Sequence, residues 1–302
     1  MADHTVTARR LHDEASAKLS GAKNPGFFRS IFSSSSAASR AEEAAELFAK
    51  AGASYKLAKR YEDAGSAYRS AAAAAEASAD VAYDAPRYFA EAAKAYKAAP
   101  AATADAVSSL EDAVRLYSEA ARFSQCARLK KEVAELHEAA GSAADAEAAY
   151  TAAADFFTGE DAKSSASACH VKVAGLMATR GAYKDAAALY ETVAAESLAS
   201  PLLKFGAREQ LLMAGLCVAA GGDAIAMRRT VERFEGLDGS LAGTREGKLL
   251  DGVVSAAEAG DVEAFTAACV EYDTIGKLDA SKTALLLVIK KGMKSEGEDD
   301  LL

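Results

Sequence analysis

The pattern of apolar and polar positions along this chain contains no segment in which the two alternate residue by residue, as they do in a half-buried β-strand. Alanine is abundant, tryptophan is absent and there are only four prolines. Alanine is the best helix-forming residue, and its small side chain lets neighbouring helices approach closely. The pattern therefore predicts an all-α fold of long, closely packed helices.

A short string recurs along the first two thirds of the chain: an acidic residue, Ala, three further residues and an aromatic residue. Its copies end at Phe48, Tyr68, Tyr96, Tyr117, Tyr150 and Tyr190. In a helix the Ala and the aromatic residue four positions later share one face, so a neighbouring helix can approach the Ala while the ring fills the space beside it. The copies are irregularly spaced, which favours a divergent array of helical hairpins similar to tetratricopeptide repeats.

Turn signals divide the array and mark its end. Gly141-Ser142, Thr158-Gly159 and Arg180-Gly181 separate helical stretches, and Ser200-Pro201 begins a helix that should stop at Gly221-Gly222. Beyond this point alanine becomes rarer and the string no longer occurs. We therefore predict a helical array over 1–199, a C-terminal helical bundle over 200–294 and an acidic tail over 295–302.

Residues 24–36 have the Pro, Gly and Ser content of a loop but carry large apolar side chains. These side chains belong to Phe27, Phe28, Ile31 and Phe32. One interpretation is that they pack against the first helix pair. The other is that they insert into a bilayer interface, because each large apolar side chain gains about 1.5–3 kcal/mol on leaving water.

Charge and chemistry narrow the possible functions. The formal net charge of -9 disfavours nucleic acid as a partner. We find no nucleotide-binding glycine motif, no Cys or His spacing typical of a metal site, and no nucleophile with an orienting partner. The polar, charged first residues also lead us to expect no signal peptide, and no apolar run is long enough to span a membrane. We expect a cytoplasmic binding protein that is not an enzyme and has no cofactor, metal or small-molecule substrate.

The chain resembles the alpha-type soluble NSF attachment proteins over nearly its whole length. The resemblance rests on the double-phenylalanine loop and on ADFFTGE at 154–160, KVAG at 172–175, SPLLK at 200–204, EYD at 271–273 and EDDL at 298–301. The resemblance implies a twisted sheet of helical hairpins followed by a bundle. It also implies an adaptor that coats the SNARE four-helix bundle at the membrane surface and recruits the hexameric AAA ATPase NSF, which disassembles that bundle after vesicle fusion.

The resemblance also implies three sets of site residues. The membrane-binding loop corresponds to Phe27 and Phe28, together with the neighbouring Ile31 and Phe32. The basic SNARE-facing set is Lys59, Lys97, Arg122, Arg128, Lys204, Arg208 and Arg245, to which we add the neighbouring Arg60 of this chain. The ATPase-facing set is Leu301, Glu258, Asp223, Asp299 and Asp300. The alternative hypothesis is a generic helical-repeat scaffold for peptide ligands that is unrelated to SNAREs.

Overall fold

The computed structural model describes residues 2–23, 37–200 and 204–299 of the 302-residue chain. Within these ranges the chain forms fourteen α-helices and no β-strand. The helices are α1 Ala2–Lys23, α2 Ala37–Leu57, α3 Tyr61–Glu76, α4 Ala85–Lys97, α5 Thr103–Glu119, α6 Phe123–Ala139, α7 Ala143–Gly159, α8 Lys163–Thr179, α9 Tyr183–Leu198, α10 Lys204–Ala220, α11 Ala224–Leu237, α12 Arg245–Ala259, α13 Val262–Ile275 and α14 Ala280–Asp299. The predicted all-α fold is confirmed.

The chain divides into two compact units, Met1–Asp161 and Ala162–Leu302. The second unit thus begins earlier than the bundle that we predict from residue 200, and the functional division of the chain stays a prediction. In the first unit, helices that follow each other along the chain pack side by side. They run antiparallel: Lys18 near the end of α1 pairs with Glu43 near the start of α2, and the Cys126 thiol at the start of α6 donates to the Val114 carbonyl near the end of α5.

The repeated string forms interior contacts of five helices in the first unit and of α9 in the second. All six of its alanines are fully buried, and five of its six rings are at most 8% exposed, with only Tyr117 half-buried. Gly52 and Gly65 accept two of the rings. A Cβ atom at Gly52 would lie 2.9 Å from the Tyr68 ring, and one at Gly65 would lie 2.6 Å from the Tyr96 ring. The string is therefore a packing device, in which small residues on one helix make room for a ring from the next.

The second unit has a larger aliphatic core. Leu211, Leu212 and Leu216 of α10 pack with residues of α8, α9, α11, α12, α13 and α14 in one buried cluster. Lys282 of α14 is also buried, and its ammonium group lies 2.5 Å from Glu209 of α10 and pairs with Asp279. Because burial of an ammonium group is costly without partners, this cluster fixes α14 against α10 at a defined position.

Candidate functional site

Two of the predicted basic residues of the first unit lie in the turn between α2 and α3. Lys59 is exposed and has a left-handed backbone, with φ at 58°. Arg60 forms an ion pair with Asp63, and its guanidinium carbon lies 5.7 Å from the centre of the Tyr55 ring. The side chain of Arg60 is therefore held against the protein, whereas Lys59 extends into solvent.

The other three basic residues of this unit lie on α4 and α6. Lys97 ends α4 and pairs with Glu132 of α6. Arg122 immediately precedes α6 and Arg128 lies on its exposed side. Among the residues that the structure describes, Lys59, Arg122 and Arg128 form no ion pair. Since neighbouring helices are antiparallel, the α2–α3 turn and the end of α4 lie at one end of the unit and Arg122 lies at the other.

Two of the three predicted basic residues of the second unit, Arg208 and Arg245, have close acidic neighbours. Lys204 is exposed in the first turn of α10. One turn later, the Arg208 Nε donates to Asp238 at 2.9 Å and its Nη2 donates to the Ser240 hydroxyl at 2.7 Å. Hydrogen bonds from Ser240 and Arg208 lower the pKa of Asp238 below its usual value. The carboxylate of Asp238 thus stays charged and holds the guanidinium in place.

Arg245, at the start of α12, has a more elaborate environment. Its Nε donates to Glu246 at 2.6 Å, and its guanidinium carbon lies 5.8 Å from the centre of the buried Tyr272 ring. A Cβ atom at Gly276 would lie 2.6 Å from its Nη1, so glycine leaves the space that the guanidinium occupies. These contacts fix the direction of an otherwise flexible, exposed cation.

The predicted ATPase-facing acids that the structure describes lie at one end of the second unit. Asp223 caps α11 by accepting a hydrogen bond from the Ala226 amide at 2.7 Å. Glu258, in the last turn of α12, accepts hydrogen bonds from Arg228 of α11 at 3.1 and 2.7 Å. Arg228 therefore brings the end of α12 next to the beginning of α11.

The C-terminal part of α14 reaches the same end. Gly292 and Met293 line a small cavity together with Gly222 and Met227. Asp299 is the last residue of α14. Its side chain lies outside the described residues, as do Asp300 and Leu301. The described part of α14 thus leads toward Asp223 and Glu258, which is the arrangement expected if these acids and the tail act together.

Sequence reasoning missed two neighbours of this acidic end. Asp251 accepts a hydrogen bond from Arg228 at 2.8 Å, and Asp261 caps α13 by accepting from the Glu263 and Ala264 amides. The pair Gly260-Asp261 repeats Gly222-Asp223, and each glycine has a left-handed backbone before the capping aspartate. This repeated turn could have identified Asp261, whereas no sequence spacing indicates the contact of Arg228 with α12.

The predicted membrane-binding side chains Phe27, Phe28, Ile31 and Phe32 lie outside the described residues. The helices on either side of them are described. An apolar groove of about 480 Å³ lies in the first unit, where the last turn of α1, the first turns of α2 and the end of α3 meet. It is lined by Leu19, Ser20, Ala37, Ala41, Phe48, Ser70, Ala73, Ala74 and Ala77. Across the described ranges, no helix has the length and hydrophobicity to cross a bilayer.

Comparison with known proteins identifies the family. A family model described as "Soluble NSF attachment protein, SNAP" matches residues 6–294. The chain belongs to this family. It is 35% identical to an alpha-soluble NSF attachment protein of Vitis vinifera, over 100% of both chains. It is 48% identical to the vesicular-fusion protein SEC17 of Coprinopsis cinerea over a shorter alignment, which covers 36% of this chain and 37% of that protein.

A relative from Dictyostelium discoideum, also an alpha-soluble NSF attachment protein, is 35% identical over 59% of this chain and 61% of its own length. The predicted family and the predicted role as an NSF adaptor in vesicle fusion are confirmed at the level of the family. The roles of individual residues stay predictions.

Proposed function

We propose that the chain is a non-enzymatic adaptor, cytoplasmic and peripherally attached to membranes, that binds assembled SNARE bundles and recruits and stimulates NSF. Family membership over residues 6–294 supports this proposal. The observation that carries its ATPase-facing part is the acidic end of the second unit, where Asp223 and Glu258 lie beside the end of the helix that leads into the tail. The proposed partners are proteins and a membrane surface, without a cofactor, metal, nucleic acid or small-molecule substrate.

In this proposal the basic residues contact acidic side chains on the SNARE bundle. Exposed ion pairs contribute only about 0–1 kcal/mol each, so Lys59, Arg122 and Arg128 must act together with the others. Lys97, Arg208 and Arg245 already have acidic neighbours and supply cations in fixed positions. Contacts of this kind depend on charge more than on sequence, which suits an adaptor that meets different SNARE bundles.

The tail is the part of the ATPase-facing set that can be tested most directly. Leu301 is an apolar residue within an acidic segment, and we expect it to anchor the tail on a basic surface of the ATPase. Leu301→Ala should leave binding to assembled SNARE bundles unchanged and abolish stimulation of NSF-driven disassembly. The measurement is a pull-down on SNARE bundles, run in parallel with a disassembly assay. Disassembly at the rate of the unaltered protein would contradict the ATPase-facing role of the tail.

The loop at 24–36 is the proposed membrane contact. One such loop binds a bilayer weakly, but several copies on one SNARE bundle would bind together at high effective concentration. We expect the double variant Phe27→Ser, Phe28→Ser to float less efficiently than the unaltered protein with liposomes that carry SNARE bundles, and to keep its binding to soluble bundles. A double variant that floats normally would instead favour packing of these rings against the first helix pair, where the apolar groove offers a place for them.

A further inference from the structure

Arg228 is the centre of the charged contacts at the acidic end of the second unit. From α11 its guanidinium reaches three residues of α12, which are spaced so that they lie along one face of that helix. Its Nη1 donates to Asp251 at 2.8 Å, its Nη2 donates to Ser255 at 3.1 Å, and its Nε and Nη2 donate to Glu258 at 3.1 and 2.7 Å. Both oxygens of Glu258 are thus engaged by one guanidinium, which is the strongest geometry for such a pair.

This arrangement has a consequence for any basic partner. Glu258 is exposed, and so is Asp251, so both can be reached from solvent. A lysine or arginine of a partner that approaches Glu258 meets a carboxylate whose two acceptor oxygens are already in use. The partner must therefore either displace Arg228 or use the remaining lone pairs of these oxygens against the repulsion of the guanidinium.

We propose that Arg228 is an internal competitor of the ATPase: it occupies Glu258 and Asp251 in the free adaptor and so limits the affinity of the acidic end for basic side chains. This inference rests on the proposed function of that end and adds an affinity-setting residue to it. Arg228 itself makes no contact with the ATPase in this proposal. Its effect is to weaken recruitment, so that the adaptor releases NSF readily after each round of disassembly.

The chain offers matched controls on the same helix. Arg229→Gln removes one positive charge from the next position, which is exposed and forms no ion pair in the described part of the chain. Arg233→Gln removes a guanidinium that also forms a bidentate pair, but with Glu191 of α9 rather than with α12. Its Nε and Nη2 donate to the two Glu191 oxygens at 2.8 and 2.7 Å. Both variants change the net charge as Arg228→Gln does, but neither frees Glu258.

The experiment measures the dissociation constant of the full-length adaptor, bound to assembled SNARE bundles, for the NSF hexamer at low and at high salt. Arg228→Gln should tighten binding about two- to fivefold more than either control at low salt, since an exposed ion pair of this kind is worth a small factor. The difference should shrink at high salt, where charges are screened. Melting temperatures measured alongside establish that each variant is folded.

The double variant Arg228→Gln, Glu258→Gln separates competition from a general charge effect. If Arg228 acts mainly by occupying Glu258, the double variant should bind only slightly more tightly than Glu258→Gln does alone, and the remaining difference should come from the freed Asp251. Full persistence of the tightening in the double variant would overturn the inference. Weaker binding of NSF by Arg228→Gln would also overturn it, because that result would mean that Arg228 helps binding by positioning Glu258.

Should Arg228→Gln not fold, Arg228→Lys keeps the charge without the bidentate geometry and should tighten binding by a smaller factor. Unchanged or weaker binding by Arg228→Lys would overturn the inference.

Leu301→Ala distinguishes failure of this inference from failure of the proposed function. If Leu301→Ala weakens NSF binding while Arg228→Gln behaves like Arg229→Gln, competition by Arg228 is wrong and the ATPase-facing tail stands. If Leu301→Ala and Glu258→Gln both bind NSF as the unaltered protein does, the acidic end is not the ATPase contact and both ideas fail together.

Discussion

Small residues at defined positions decide how closely the helices of the first unit approach. At Gly65 the absence of a side chain lets the Tyr96 ring of α4 lie directly against the backbone of α3. The alanine in each copy of the string makes a similar approach possible with a methyl group in place. The sequence predicts this arrangement because alanine and ring share a helix face, but it does not reveal which residue of the neighbouring helix receives the ring.

Gly65→Ala should destabilise the protein although alanine favours helix formation. The added methyl group would lie 2.6 Å from the Tyr96 ring, so the ring must move within a packed interior. Overpacking of this kind costs about 1–3 kcal/mol, and the better helix propensity of alanine returns about 1 kcal/mol. We expect a net loss of up to about 2 kcal/mol in the free energy of unfolding, measured by urea denaturation followed by circular dichroism.

The matched control is Gly236→Ala in α11, where an added Cβ atom would have no neighbour within 4 Å. This variant should be neutral or slightly stabilising, because only the helix propensity changes. If Gly65→Ala were as stable as Gly236→Ala, the close contact between α3 and Tyr96 would not be a determinant of stability.

At the scale of elements, a single turn geometry joins many of the helices. One residue with a left-handed backbone follows helices α2, α5, α6, α7, α8, α10 and α12; these residues are Lys59, Ala121, Gly141, Asp161, Gly181, Gly222 and Gly260. The turns at Gly141, Gly181 and Gly222 could be predicted from the sequence, because glycine adopts this conformation without strain. Lys59 and Ala121 could not, since neither residue type favours a left-handed backbone.

The candidate site shows the same division between local and long-range information. The sequence could indicate Asp223 as an acidic residue near the C-terminal helices and Arg245 as a basic one. Their surroundings depend on contacts between residues far apart in the chain, such as Arg228 with Glu258 and Arg245 with Tyr272. Such pairs form only when the helices pack together. They therefore cannot be predicted from the residue spacing along a single helix.

At the scale of the whole molecule, burial of ionisable side chains makes stability depend on pH, most strongly in the core of the second unit. The core of the second unit contains Cys217, which is fully buried among leucines, and burial raises the pKa of its thiol to about 12. Burial also raises the pKa of Tyr190 in the same core. Both groups stay neutral in the folded protein at pH values where they ionise in the unfolded chain.

The sign of the resulting pH dependence follows from proton counting. Above the unfolded thiol pKa of about 8.5 and below the folded value, the folded state binds one more proton than the unfolded state, so stability falls as pH rises. Cys217 alone should give a slope of about -1.4 kcal/mol per pH unit over this window. Below about pH 7 it contributes almost no slope.

Urea denaturation at a series of pH values between 7 and about 10.5 tests this expectation, because a free thiol ionises within that range. Cys217→Ala should lower stability at neutral pH by leaving a small cavity, and it should also flatten the alkaline slope by close to one proton. The comparison is Cys126→Ala in the first unit, where burial also raises the thiol pKa but the nearby Lys130 opposes that rise. The Cys126 variant should therefore flatten the slope less. An alkaline slope that Cys217→Ala leaves intact would show that this thiol ionises as easily in the folded core as in water, and the second unit would then be open to solvent around α10.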